Sequence, residues 1–331
     1  MKMQSNGGKY KLKLKNIFLI FSIIMLFFGM FYFISFDVIQ HQEKSVYTKI
    51  SVITRESSSD AIVNLQQGLE QAAYDMDVEM SLLTLTEQNN VQEQQKLIER
   101  EINSGAEAII IMPIENEELK NIIEKASEKV PIICMGSCIQ STAVSANILV
   151  QDEEMGKELA RRIFVKGIFN KKVLLLESSL QCDSINKRKN ALLSILENRT
   201  ACMIKQNFEI SSNAVKNLEQ IIQKTEPDVI IALEPTVLDI TAEAVKHLQK
   251  NNIMVYGFGM TTKTPSYIEK DDITASIIQN DFNLGYLSMR RAMEILNKIE
   301  DREEGMIDYA FVNGHNMYTK ENQRLLFPFV R

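Results

Sequence analysis

The chain has 331 residues, 45% of them hydrophobic and 24% charged, with only 13 Gly and 6 Pro. That balance excludes disordered, collagenous and disulfide-scaffold proteins and leaves room for about two domains. Its 43 acidic against 37 basic residues give a formal charge of -6, so there is no surplus positive field to hold a phosphate backbone and nucleic acid is not an expected partner.

The charge is uneven from the start. Lys9, Lys11, Lys13 and Lys15 stand just ahead of residues 17–36, a run without a charged side chain. Twenty residues rising about 1.5 Å each reach about 30 Å, the thickness of a bilayer's hydrocarbon core, so this run is predicted to be a transmembrane anchor. A cleaved signal has a shorter apolar region and ends in a small-x-small site. Here the run ends Phe33-Ile34-Ser35-Phe36-Asp37, which favours a retained anchor. The lysines place residues 1–16 in the cytoplasm. After a linker at 37–48, the globular part is expected outside it, which makes a single-pass protein of the cell membrane.

From Lys49 onward short β-branched runs alternate with helical stretches. Residues 50–54 read as a strand. Ala61, Leu65, Leu69, Ala72 and Met76 then recur at helical spacing behind the capping cluster Ser58-Ser59-Asp60. Strands are predicted at 78–85, 108–112 and 132–135, separated by helices carrying Ile98 and Ile102, then Leu119, Ile122, Ile123 and Ala126, with a short apolar stretch reaching Val150. The continuous run Ala108-Ile109-Ile110-Ile111-Met112 suits a strand buried on both faces, hence parallel pairing. A helix at 153–165 opens a second series, with strands at 172–176, 204–208, 229–232, 253–258 and 274–278. Two doubly wound α/β domains follow. In such sheets ligands bind beyond the carboxyl ends of the strands, at the loops starting near Arg55, Pro113, Gly136, Ser178, Glu234 and Gly259.

Cys134, Cys138, Cys182 and Cys202 would be free to pair outside the cytoplasm. Cys182 and Cys202 flank a predicted helix whose ends would lie roughly 22 Å apart, so unpaired thiols are expected; only Cys134 and Cys138 could pair locally, across a sharp turn. No Cys-x-x-Cys occurs to suggest a zinc or redox site.

Seven short stretches in order carry a family resemblance: Gln67 to Ala73, Gln94 to Gly105 leading into Met112-Pro113, Val130-Pro131-Ile132-Ile133, Gly156 to Ala160, Pro227-Asp228-Val229-Ile230, Val255-Tyr256-Gly257-Phe258, and Thr274 to Gln279. Over nearly all of 49–327 the chain resembles the type I periplasmic solute-binding proteins of the ribose-binding group. The resemblance implies an α/β fold of two parallel-sheet lobes joined by three crossovers, near Val150, Asn280 and Asp308. The N-terminal lobe would comprise 49–149 plus 281–308, and the C-terminal lobe 150–280 plus 309–331. It also implies hinge closure on a ligand held in the interlobe cleft, which a ligand drives only by touching both lobes in the closed state. The family's repressors carry a DNA-binding helix-turn-helix where this chain has the apolar run.

The ligand positions depart from the family pattern. Aromatic rings at the start of the first helix are replaced by Ala61 and Ile62, and the chain has no Trp. An Asp-Arg pair after the fourth strand becomes Gly136 and Ser137, an Asp after Phe258 becomes Gly259, and an Asn after strand 229–232 becomes Glu234. The first Arg of the second lobe's site becomes Asn186, with Arg188 two residues on; Phe258 and Gln279 are kept. Arg55, Glu56 and Glu115 enter as new polar groups. The expected ligand-binding set is therefore Arg55, Glu56, Ser58, Ser59, Glu115, Gly136, Ser137, Asn186, Arg188, Glu234, Phe258, Gly259 and Gln279, with Asp183 as an alternative partner for Arg188. Hydrogen bonds to charged groups contribute about 1.5 to 3 kcal/mol each, so losing three would abolish tight binding of an ordinary monosaccharide. The new polar groups fit either a ligand with its own charge, such as a modified sugar, an amino-bearing molecule or a small signal, or simply solvated loop charges.

No catalytic constellation accompanies His41, His247 or His315, and Gly7-Gly8-Lys9 lacks the strand and helix of a phosphate loop. No catalytic residue, cofactor or metal is expected. Two functions fit: capture of a carbohydrate or derivative that is reported to a histidine kinase, or its delivery to an ABC permease. A ligand-free interaction module is the third alternative. A membrane tether raises local concentration for either partner.

Overall fold

The computed structural model describes residues 21–32, 47–55, 59–87, 89–115, 117–178, 182–197, 199–299 and 306–327. The chain divides into two units, 1–47 and 48–331. In the first, residues 21–32 are helical (α1) with exposed side chains. The rest of the predicted anchor, the basic residues before it and 37–46 of the linker lie outside the described residues. Among the described residues no helix is long and apolar enough to cross a membrane.

The second unit holds two sheets. The first is built of β1 (Thr48–Thr54), β2 (Val78–Thr84), β3 (Ala108–Ile111), β4 (Ile132–Met135) and β5 (Ala146–Ile148), in the order β2-β1-β3-β4-β5. All its pairs are parallel, with Val52 opposite both Leu82 and Ile110. β3 and β4 are buried along their whole length, as continuous apolar runs between two helix layers should be. The helices of this lobe are α2 (Val63–Asp75), α3 (Val91–Asn103) and α4 (Glu117–Ser127).

The second sheet contains β6 (Lys172–Ser178), β7 (Cys202–Phe208), β8 (Val229–Ala232), β9 (Met254–Phe258), β10 (Ala275–Gln279) and β11 (Tyr309–Val312), in the order β11-β10-β9-β8-β6-β7. Its helices are α5 (Asp152–Val165), α6 (Asp183–Leu196), α7 (Ala214–Thr225), α8 (Pro235–His247) and α9 (Thr264–Glu269). β11 corrects the sequence reading, which gave no strand there and a wholly parallel sheet. It runs antiparallel to β10, with Ser276 opposite Val312 and Gln279 opposite Tyr309. A four-residue edge strand entered from the opposite end shows neither a long apolar run nor a crossover helix of its own.

The chain passes between sheets three times. Val150 and Ile307 form a bridge, and the Asn280 N–H donates to the Asp308 carbonyl at 2.8 Å, so the three passes lie side by side. After the second, α10 (Asp281–Leu296) returns to pack on α2 of the first lobe; after the third, β11 and α11 (Lys320–Leu326) complete the second. One core cluster spans both lobes, with Val52, Ile110 and Leu284 on one side and Val173, Ile231 and Leu192 on the other. Outer clusters back each sheet.

Candidate interlobe binding site

The two sheets present their strand ends to the space between the lobes. From the first, Arg55 directly follows β1. The turn after β4 pivots on Gly136 at φ +71, with its N–H on the Ile148 carbonyl at 2.8 Å, and delivers Ser137. Glu115 is placed by Gln94 of α3, which donates to the Met112 carbonyl at 2.8 Å and accepts from the Ile114 N–H at 3.1 Å. From the second, the first turns of α6 present Asp183, Ser184, Asn186 and Arg188.

These groups meet across the lobes. Arg55 Nη1 donates to Ser137 Oγ at 3.2 Å and Nη2 to Ser184 Oγ at 3.4 Å, while Ser137 Oγ lies 3.0 Å from Ser184 Oγ. All three are nearly sealed from solvent, at 6%, 2% and 1% exposure. Near the rim Asn186 Nδ2 donates to Glu115 Oε2 at 3.0 Å, and the Cys138 thiol to Asp183 Oδ2 at 3.4 Å. Burial, followed by the Asp183 carboxylate, pushes the Cys138 thiol up.

Arg188 faces the crossovers. Its Nε donates to Asp152 Oδ1 at 2.6 Å and its Nη2 to Gln279 Oε1 at 2.7 Å; Gln279 Nε2 in turn reaches Asp281 Oδ1 at 2.6 Å. The guanidinium stands 5.7 Å from the centre of the fully buried Phe258 ring, within cation–π range. Burial raises the Asp152 carboxyl even against the pull of Arg188. The alternative pairing of Arg188 with Asp183 is not made: Asp183 is held by Lys187 one turn on, at 2.5 Å, and Arg188 joins the segment after the first pass to the strand before the second. Its two fixed partners, together with Gln279's own bond to Asp281, make these side chains part of the joint between lobes.

Other predicted residues serve the frame. Gly259 sits at φ +75 and donates its N–H to Ile277 at 2.7 Å, and an added Cβ would come within 3.2 Å of Pro235. Glu234 is buried in extended backbone just before α8. Ser59 lies in a short 3-10 turn, Ser59–Ala61; its side chain, and Glu56 and Ser58 altogether, lie outside the described residues. Sequence reasoning missed Ser184 and Asp152 as partners, and also Asp239 of α8, whose carboxylate accepts from Thr261 and, at 2.8 Å, from Thr264, bracing the loop after β9. The signal for Ser184 was its place in the same helical turn as Asn186. Among the described residues all four thiols are free and no group of His, Cys, Asp or Glu is arranged to hold a metal ion.

Comparison with known proteins fits this frame. The model of the periplasmic binding protein domain matches residues 50–300, and the chain belongs to that family. The D-apiose import binding protein of Paraburkholderia graminis is 22% identical over 204 residues, 60% of this chain; the chain spans 65% of that relative's length. A carbohydrate transporter solute-binding protein from Agrobacterium radiobacter, solved in complex with D-arabinose, superposes with a TM-score of 0.78 at 17% identity, covering 85% of this chain and 99% of that one. XylFII, solved as a complex with LytSN, gives 0.73 at 17% identity over 82% and 99%. At these identities the likeness to the solved structures is one of fold.

Proposed function

We propose that the protein is a membrane-anchored, extracytoplasmic solute-binding protein that takes a small sugar-like or derivatised ligand between its lobes and presents the occupied state to a membrane partner, a sensor kinase. The observation that carries binding at this place is the convergence of Arg55, Ser137 and Glu115 from one lobe on Ser184 and Asn186 from the other. A cleft whose polar groups bond across the lobes converts occupancy into a change of shape. The carbohydrate class is supported by the D-apiose and D-arabinose proteins, and signalling to a partner by the fold likeness to XylFII in its complex with LytSN. The uninterrupted apolar run at 17–36 and the lysines before it support the anchor and its orientation.

Binding is tested with the full chain in lipid nanodiscs and a thermal-shift panel of D-apiose, D-arabinose, D-ribose and charged derivatives such as uronates and amino sugars. A true ligand at about 100 times its Kd adds about 2.7 kcal/mol of stability. No shift with any neutral or charged sugar overturns the reading. A second reading, delivery to an ABC permease, is favoured by the import and transport roles in the names of the D-apiose and D-arabinose proteins. Crosslinking in cells separates the two: recovery of a histidine kinase supports the first, recovery of a permease the second.

A further inference from the structure

Arg55 is unusually placed for a cleft residue. Its guanidinium leaves the end of β1, stays on its own lobe through Ser137 and crosses to the other through Ser184, and the two hydroxyls are bonded to each other. The planar fork of an arginine can hold two acceptors at fixed separation, which a lysine cannot. The trio excludes solvent almost completely, so the bonds that Arg55 and Ser137 make to Ser184 form away from water and only while the lobes are together. Separating the lobes breaks both bonds to Ser184. The Arg55 charge also reaches Asp152 of the second lobe, whose carboxylate it favours.

We propose that Arg55 is a clasp between the lobes: its guanidinium, bonded to Ser137 and Ser184, holds the closed arrangement through the protein's own side chain. A solute that enters must then either accept hydrogen bonds from this arginine or displace it from Ser184. The inference goes beyond the binding role proposed above and does not depend on it, since the clasp is measured with no solute present.

The test is hydrogen exchange on the full chain in nanodiscs, read each time on the lobe opposite the substitution. For Arg55→Ala the reporter is 182–186 at the start of α6; for Ser184→Ala it is 136–139 after β4. Loss of a hydrogen bond to a charged group predicts exchange faster by about tenfold at the opposite segment, with β3 and β8 unchanged. Arg55→Lys should loosen the opposite segment as well. Exchange that rises only on the lobe carrying the substitution, or that stays at the wild-type rate in both alanine variants, overturns the clasp. Because Ser184→Ala removes a single hydroxyl, it keeps the test open if Arg55→Ala does not fold. Failure of every sugar to bind would refute the proposed function and leave this result standing.

Discussion

Arg188 and Asp152 bring opposite charges into a nearly dry setting, their side chains 9% and 6% exposed at 2.6 Å. Breaking such a pair from one side leaves the other charge buried alone and costs about 3 to 5 kcal/mol, far more than an exposed ion pair contributes. Arg188→Ala is therefore expected to lower the unfolding free energy measured in urea by that order, and Asp152→Asn with Arg188→Met to lower it less. A loss under about 1 kcal/mol for Arg188→Ala would show the pair to be dispensable. Asp239 supplies a pH dependence. Burial raises its carboxyl above the ordinary aspartate value of 3.8, against the pull of Thr261 and Thr264. The folded chain thus holds a proton that the unfolded chain releases, and the stability this gives is complete below the ordinary value and lost as pH rises through the raised one. Denaturation from pH 3 upward should show stability falling across that window, and Asp239→Asn should reduce the fall; an unchanged slope would reject the assignment. Strand-end reasoning found Arg55, Ser137 and Glu115, because loops at carboxyl ends follow from parallel pairing alone. Ser184, the partner of Arg55 and Ser137, was not legible, since a contact across lobes depends on how two rigid bodies meet.

Two glycines in the stretches that carry the family resemblance have a mechanical reason. A Cβ on Gly68 would lie 2.0 Å from the Phe282 carbonyl oxygen, and one on Gly156 would lie 2.4 Å from that of Arg188. α2 thus touches α10 backbone to backbone in one lobe and α5 touches α6 in the other, and the second contact seats the turn bearing Arg188. Overpacking such a crossing costs about 1 to 3 kcal/mol. Gly68→Ala should lose that much in chemical denaturation, while Glu70→Ala, exposed on the same helix, should change stability by less than about 0.5 kcal/mol. Equal effects of the two would mean that α10 simply shifts away. The alternation of strand and helix was readable because Ala108–Ile111 and Val229–Ala232 are apolar throughout and buried throughout. β11 was not, because four edge residues, the first three partly open to solvent, carry no periodicity long enough to separate strand from loop.

At the scale of the whole molecule the proposed topology makes the cysteines a reporter. Cys134 and Cys182 are fully buried, and burial pushes the Cys134 thiol up to about 12. Cys138 is half-buried, raised in the same direction and donates to Asp183. Cys202, the first residue of β7, is exposed. Since the thiolate is the reactive form and must be reachable, Cys202 is the one site expected to react with a maleimide at neutral pH. If the lysines before the apolar run hold the N-terminus in the cytoplasm, a membrane-impermeant maleimide added to intact spheroplasts should modify the full-length chain at Cys202, and Cys202→Ser should abolish the label. Mass measurement of the labelled chain reports at once whether residues 17–36 are retained. Modification that appears only after the membrane is permeabilised would put the lobes on the cytoplasmic side, where a solute-binding protein would have no external solute to meet.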